Sequence, residues 1–167
     1  MKQIPCGLGK FALVDDADYN WLSHYMWTTD SHGYATIDLR LSTLCDAPIP
    51  KGGCISMHRL ILGLKNGQGH KKQGDHKNHS ILDNRRNNLR ICTPSQNHGN
   101  QLLQQNTTSR YKGVYWNKQC KKWLAQIKID GKKIYLGLFN NERTAAFAYN
   151  LAAKKHFKNF ALLNKIG

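Results

Sequence analysis

The pattern of the chain changes near residue 105, and this break constrains the fold more than any other feature. Before it, short strand-like runs (residues 10–14, 34–39 and 55–58) alternate with Gly, Pro and Asp turns. After it come three aromatic and β-branched runs and then one long alanine-rich helical stretch. Between them, Asn100-Gln-Leu-Leu-Gln-Gln-Asn-Thr-Thr-Ser109 is polar, uncharged and low in complexity, and reads as a helix end running into a linker. A chain of 167 residues suffices for one ordinary domain or two small ones. The expected organisation is two, residues 1–101 and 110–164, joined by a linker at 102–109, with no internal repeat.

Composition narrows the class. Hydrophobic residues make up 40%, enough to build cores. No apolar run approaches the roughly 18–20 residues of a membrane span, so no membrane partner is expected. Residues 1–16 contain Pro5, Gly7, Gly9 and an acidic pair where a signal peptide needs an apolar stretch. The five cysteines (6, 45, 54, 92 and 120) are odd in number and form no C-x-x-C pair. Reduced thiols and a cytoplasmic location are therefore expected.

The net charge is +15 with His neutral, and it is unevenly spread. Residues 1–55 carry four Lys and Arg against six Asp, a balance of −2; residues 56–105 carry +6, and residues 106–167 carry +11. A charge concentrated toward one end implies a binding surface for a polyanion, and nucleic acid is the expected partner.

The densest local chemistry lies in residues 74–97. Leu89 to Thr93 alternates as a short strand does. Thr93 suits a helix N-cap, Pro94 the first helical position and Gln96 the third position of a capping box. The expected unit is strand, polar loop, strand, helix, with Asp75 and His76 at one strand edge and Asn97 on the first helical turn. An Asp carboxylate and an Asn side-chain oxygen are hard ligands suited to Mg²⁺ or Mn²⁺. A neutral His can accept a proton from attacking water near neutral pH. Neighbouring strand residues point to opposite faces, so Asp75 and His76 converge on one phosphate only at a twisted strand end.

Residues 55 to 97, and above all Leu82-Asp-Asn-Arg-Arg-Asn-Asn-Leu-Arg90, resemble the HNH nucleases of the phage and intron-homing branch. The resemblance implies a ββα-metal core over 56–101, with residues 1–55 as a β-rich extension. It implies that Asp75 and Asn97 are metal ligands, that His76 is the general base, and that Asn88 orients either the loop or the base. His79 stands where this loop often has Gly, and no role is assigned to it. His58 either approaches the site or is a packed, hydrogen-bonded core residue.

Beyond the break, runs 111–116, 123–129 and 133–139 read as three strands, with Asp130-Gly131 as a hairpin-turn signal. Alternation sends Trp123, Ala125, Ile127 and Ile129 to one face and Leu124, Gln126 and Lys128 to the other. In the third strand Ile134, Leu136 and Leu138 share the apolar face, opposite Lys133, Tyr135 and Gly137. A helix over 141–156, with Ala145, Ala148, Tyr149, Ala152 and Ala153 on one stripe, would cover the apolar face and leave the polar one free. Such a face can enter a DNA major groove. Trp116 and Trp123 serve either packing or base stacking.

Ser109-Arg-Tyr-Lys-Gly-Val114, Lys122-Trp-Leu-Ala-Gln-Ile-Lys128, Tyr135-Leu-Gly137 and Thr144-Ala-Ala-Phe-Ala-Tyr149 resemble the plant APETALA-type (ethylene-response-factor) DNA-binding domain. The resemblance implies DNA contacts from Arg110, Lys112, Tyr115, Gln126, Lys128, Lys133 and Tyr135. The expected fold class is thus α+β: a ββα-metal core with a β-rich extension, then a three-stranded antiparallel sheet packed on one helix. The expected function is metal-dependent, site-directed cleavage of double-stranded DNA by a monomeric endonuclease of homing or mobile type. It would nick the duplex to leave 5′-phosphate and 3′-hydroxyl ends, in a bacterial or phage-infected cell. The alternative is a non-catalytic DNA-binding regulator that retains the nuclease scaffold.

Overall fold

The computed structural model describes residues 1–38, 53–64, 71–103 and 107–167. Arg40, Cys45, Asp46, Lys51 and Lys65, counted above, and residues 104–106 of the expected linker lie outside the described residues. The fold is mixed, with several small antiparallel sheets and few helices, and the chain divides into two compact units, Met1–Thr93 and Pro94–Gly167.

In the first unit, strands β1 (Lys2–Pro5) and β2 (Phe11–Val14) form a hairpin, followed by helix α1 (Asp16–Leu22). Three short strands, β3 (Thr28–Thr29), β4 (Ala35–Asp38) and β5 (Cys54–Ser56), pair antiparallel in the order 3-4-5. The core beneath them holds Ile4, Val14, Leu22, Trp27, Ile37, Ile55 and Met57, each at most 4% exposed. Residues 57–58, expected to continue a strand, instead open helix α2 (Met57–Ile61). Met57 and Ile61 lie one helical turn apart, so both apolar side chains enter this core from one face. His58 is carried into the interior beside them.

Strands β6 (Gln73–His76) and β7 (Leu89–Cys92) make a separate two-stranded sheet in which Asp75 faces Arg90 and His76 faces Leu89. The intervening loop is threaded onto the N-terminal hairpin. Leu13 N–H donates to Leu82 O, and Asn84 N–H donates to Leu13 O, both at 2.8 Å. The acidic extension therefore braces the polar loop.

The second unit opens with helix α3 (Pro94–Asn100), which starts at the proline as its fixed φ favours. Strands β8 (Val114–Asn117), β9 (Lys122–Ile129) and β10 (Lys132–Phe139) follow in the order 10-9-8, and then helix α4 (Glu142–Phe157). Asn141 caps α4, its side chain accepting from Arg143 N–H at 2.7 Å. Ser109, placed in the linker by its composition, is buried and donates to Glu142 at 2.7 Å.

Regular alternation holds along β9 but breaks in β10. A bulge between Tyr135 and Gly137 shifts the register, with Gly137 at φ 138°. Leu138, expected on the helix-facing side, therefore pairs with Leu124 on the other face, and Phe139 pairs with Trp123 against the core. Gly113, at φ 75°, lies where a Cβ would come within 2.1 Å of the Tyr149 ring, so only glycine admits that close approach.

Candidate active site

Asp75 and His76 end β6 and are 6% and 5% exposed. Arg90, directly across the ladder, donates from Nε to Asp75 Oδ2 at 2.7 Å. This pairing offsets the carboxylate charge in a mostly buried position. The neighbouring His76 has its imidazole Nε2 3.3 Å from Asn84 Oδ1. Asn84 is 1% exposed, and its Nδ2 donates to Leu82 O at 3.3 Å. That second bond sets which way the amide points, so the atom facing His76 is an acceptor and Nε2 is the donor. The proton-accepting nitrogen of neutral His76 is then Nδ1. Burial holds His76 below the ordinary imidazole range, partly offset by the Asn84 bond and by Asp75 and Asp83.

Asn88 is buried and ties the loop to itself. Its Oδ1 accepts from Asn78 N–H at 3.0 Å, and its Nδ2 donates to Asp83 O at 2.8 Å. Asn78 in turn donates to Asp83 Oδ2, and Arg85 grips both oxygens of the same carboxylate at 2.7 Å. Of the two roles open to Asn88, these bonds are those of loop orientation, while Asn84 makes the bond to the imidazole. Four asparagines (78, 84, 87 and 88) crowd this loop, and nothing local in the sequence ranks Asn84 above the others. His79 has φ 64°, a left-handed conformation that glycine adopts more readily than histidine.

Farther out, Arg86 fixes the loop to α1. It donates from Nε and a terminal nitrogen to the two oxygens of buried Asp18, both at 2.7 Å, and from its backbone N–H to Asp15.

Two further rings lie beside His76. His58 is 8% exposed, with ring centroids 5.0 Å from His76 and 5.3 Å from Tyr34, which itself lies 5.9 Å from His76. It packs onto Gly74, where a Cβ would lie 2.5 Å from His58 Cδ2. Burial lowers its pKa to about 3, so it is neutral at any physiological pH. Its Nδ1 is fully buried and is the only such side-chain nitrogen or oxygen without a hydrogen-bond partner among the described residues. Leaving a polar atom in that state costs on the order of 1–3 kcal/mol.

Asn97 occupies the first turn of α3, in the second unit. Among the described residues no group of three or more His, Cys, Asp or Glu side chains is gathered to hold a metal. The Asp75 carboxylate and the Asn97 side-chain oxygen are each donors of the kind taken by a hard cation that keeps most of its waters.

In the second unit, Tyr115, Gln126, Lys128, Lys133 and Lys112 line one cleft of about 300 Å³, together with His98 and Gln101. The polar face is thus one wall of a cleft and not an open surface throughout. Lys128 and Lys133 face each other across the ladder, as do Gln126 and Tyr135, and Tyr135 is 61% exposed. Two lysines directly opposite repel one another unless an anion lies over them. Lys112 has a different setting: its ammonium donates to the carbonyls of His98, Gly99 and Gln101 at 3.0, 2.8 and 2.6 Å, closing the end of α3. Arg110 is exposed, lies over the Tyr111 ring and borders a separate cavity. Trp123 packs into the core with Trp116 edge-on at 5.0 Å.

An uncharacterized HNH endonuclease, L560 of Acanthamoeba polyphaga mimivirus, is 31% identical over 163 residues, covering 96% of this chain and 78% of the viral protein. The chain belongs to the HNH endonuclease family. An AP2-like ethylene-responsive transcription factor of Arabidopsis thaliana, At2g41710, is 39% identical over 57 residues, which is 34% of this chain but 13% of that protein. No family model and no solved structure matches the chain. Membership of the HNH endonuclease family bears on a nuclease centre. The plant match is partial and gives weaker support to a DNA-binding module.

Proposed function

We propose that the chain is a divalent-metal-dependent, site-directed DNA endonuclease of homing or mobile type that nicks a duplex. The observation that carries this reading is the buried His76, held by Asn84 with Nδ1 as its basic nitrogen, in a chain of the HNH endonuclease family. His76 Nδ1 takes a proton from water as the water oxygen bonds to phosphorus. The bond from phosphorus to the 3′ oxygen then breaks, and solvent protonates that oxygen, leaving 5′-phosphate and 3′-hydroxyl ends. Asp75 and Asn97 are the proposed ligands for Mg²⁺ or Mn²⁺. Such a cation offsets the charge that builds on the phosphoryl group and the leaving oxygen. Asn88 acts by holding the loop, and Arg90 holds the Asp75 carboxylate in place before a cation binds.

Double-stranded DNA is the proposed partner of the second unit. Tyr115, Gln126, Lys128, Lys133 and Tyr135 form the reading face, with Arg110 at its margin. The facing Lys128 and Lys133 support a polyanion here, because phosphate relieves their repulsion. The test uses supercoiled plasmids carrying a randomised duplex library, with Mg²⁺ or Mn²⁺. Nicked product whose ends map to shared positions is expected from the wild type, and His76→Ala should abolish it while duplex affinity stays within about twofold. The plant transcription-factor match favours one other reading, a regulator that binds without cutting. Sequence-selective binding with no nicked product under any divalent cation would establish that reading instead.

A further inference from the structure

An orphaned nitrogen next to the proposed base calls for an explanation that packing does not supply. A phenyl ring would fill the space between Gly74, Tyr34 and His76 without stranding a polar atom. The stranded atom also indicates the tautomer. An unpaired buried N–H is rarer and costlier than an unpaired lone pair, so Nδ1 is the bare nitrogen and the proton sits on Nε2. Nε2 lies against Gly74, where a Cβ would be 3.3 Å away, and Gly74 shares a face of β6 with His76. The one N–H of His58 is therefore on the side of the strand that presents the base. Nothing in the described part of the chain accepts from it.

We propose that His58 is a further catalytic residue, whose Nε2–H donates a hydrogen bond to a non-bridging oxygen of the phosphodiester that His76 acts upon. This rests on the nuclease reading above. A donor that carries no charge of its own leaves the adjacent imidazole free to take up a proton, where a lysine or arginine at the same place would oppose it. Preorganised donors of this kind act most strongly where water is excluded, as around a ring 8% exposed.

The full-length chain with His58→Phe keeps the ring and removes both nitrogens. Against the cleavable duplex recovered from the plasmid library, its single-turnover rate should fall about 10- to 100-fold, the loss of one hydrogen bond to a charged oxygen. Duplex affinity without divalent cation should stay within about twofold, and the thermal midpoint should hold or rise because the orphaned nitrogen is gone. A merely structural role predicts the reverse: a lowered midpoint and an unchanged rate. Should the variant not fold, the wild type still decides. With ¹⁵N-labelled histidine and Ca²⁺ in place of Mg²⁺, the His58 Nε2–H resonance should move downfield when that duplex binds, and an unmoved resonance rejects the proposal. Cleavage by His58→Phe at the wild-type rate overturns this inference alone. A wild type that cuts nothing overturns the nuclease reading and this inference with it.

Discussion

Asn84 Oδ1 meets Nε2 of His76 at 3.3 Å from eight residues along the chain, and the amide is held in that sense by its own bond to Leu82 O. In the proposed reaction Asn84 therefore acts only through the imidazole. Asn84→Ala is expected to lower the single-turnover cleavage rate about 10- to 100-fold, the usual size of an orienting partner's effect. Duplex affinity measured without divalent cation should remain within about twofold. A rate unchanged by the substitution would remove Asn84 from the proposed site.

Acid should destabilise this protein through its buried histidines. His58 titrates near 3 when folded and near 6.5 when unfolded. Between those values the unfolded chain binds a proton that the folded chain does not, so stability falls as pH falls below about 6.5. The slope is about 1.4 kcal/mol per pH unit for one such group, and His76 is displaced in the same direction. Urea midpoints from pH 7 to pH 4 should follow this trend. In His58→Phe the slope should shrink by about one proton.

The lysines of the second unit should separate by salt dependence. Lys128→Ala and Lys133→Ala are each expected to reduce the slope of log affinity against log salt by about one, as loss of one phosphate contact does. Lys112→Met should leave that slope unchanged, because its ammonium is committed to three carbonyls at the end of α3. It should instead cost about 2 kcal/mol of stability. Fluorescence anisotropy across a salt series, paired with thermal melts, distinguishes the two kinds of lysine.

Arg86 and Asp18 make a bidentate pair whose acid is 2% exposed and whose guanidinium reaches solvent. Arg86→Ala leaves Asp18 buried with Trp21 Nε1 as its remaining side-chain donor, at 3.2 Å. A loss of about 2 kcal/mol is expected, below the full cost for a wholly buried pair because the arginine is half exposed. Asp18→Asn in the same chain should restore part of it, and a denaturation double-mutant cycle measures the coupling.

Local rules were legible in the amino-acid sequence wherever the determining atoms are neighbours. Pro94 starts α3, Asn141 caps α4, Asp130-Gly131 turns β9 into β10, and Ala125 and Ile127 share a buried face as alternation requires. Asp75 and His76 were likewise expected at a strand edge, and they end β6. What only the tertiary structure decided depends on atoms brought together across the chain. The bulge at Gly137 reversed the faces of Leu138 and Phe139, since a single extra residue shifts every later side chain by half the strand period. The apolar core drew Met57 and Ile61 in from one side of a helix and carried His58 next to His76. Among the crowded asparagines of residues 78–88, the bond to Leu82 O selects Asn84 as the partner of the imidazole, and two bonds across the loop select Asn88 as its fastener. Lys112, for which the family resemblance implies a DNA contact, has its ammonium bonded to open carbonyls at a helix end, among them Gly99 O thirteen residues earlier. Spacing along the chain identifies which chemical groups are present; packing determines which of their hydrogen bonds are already taken.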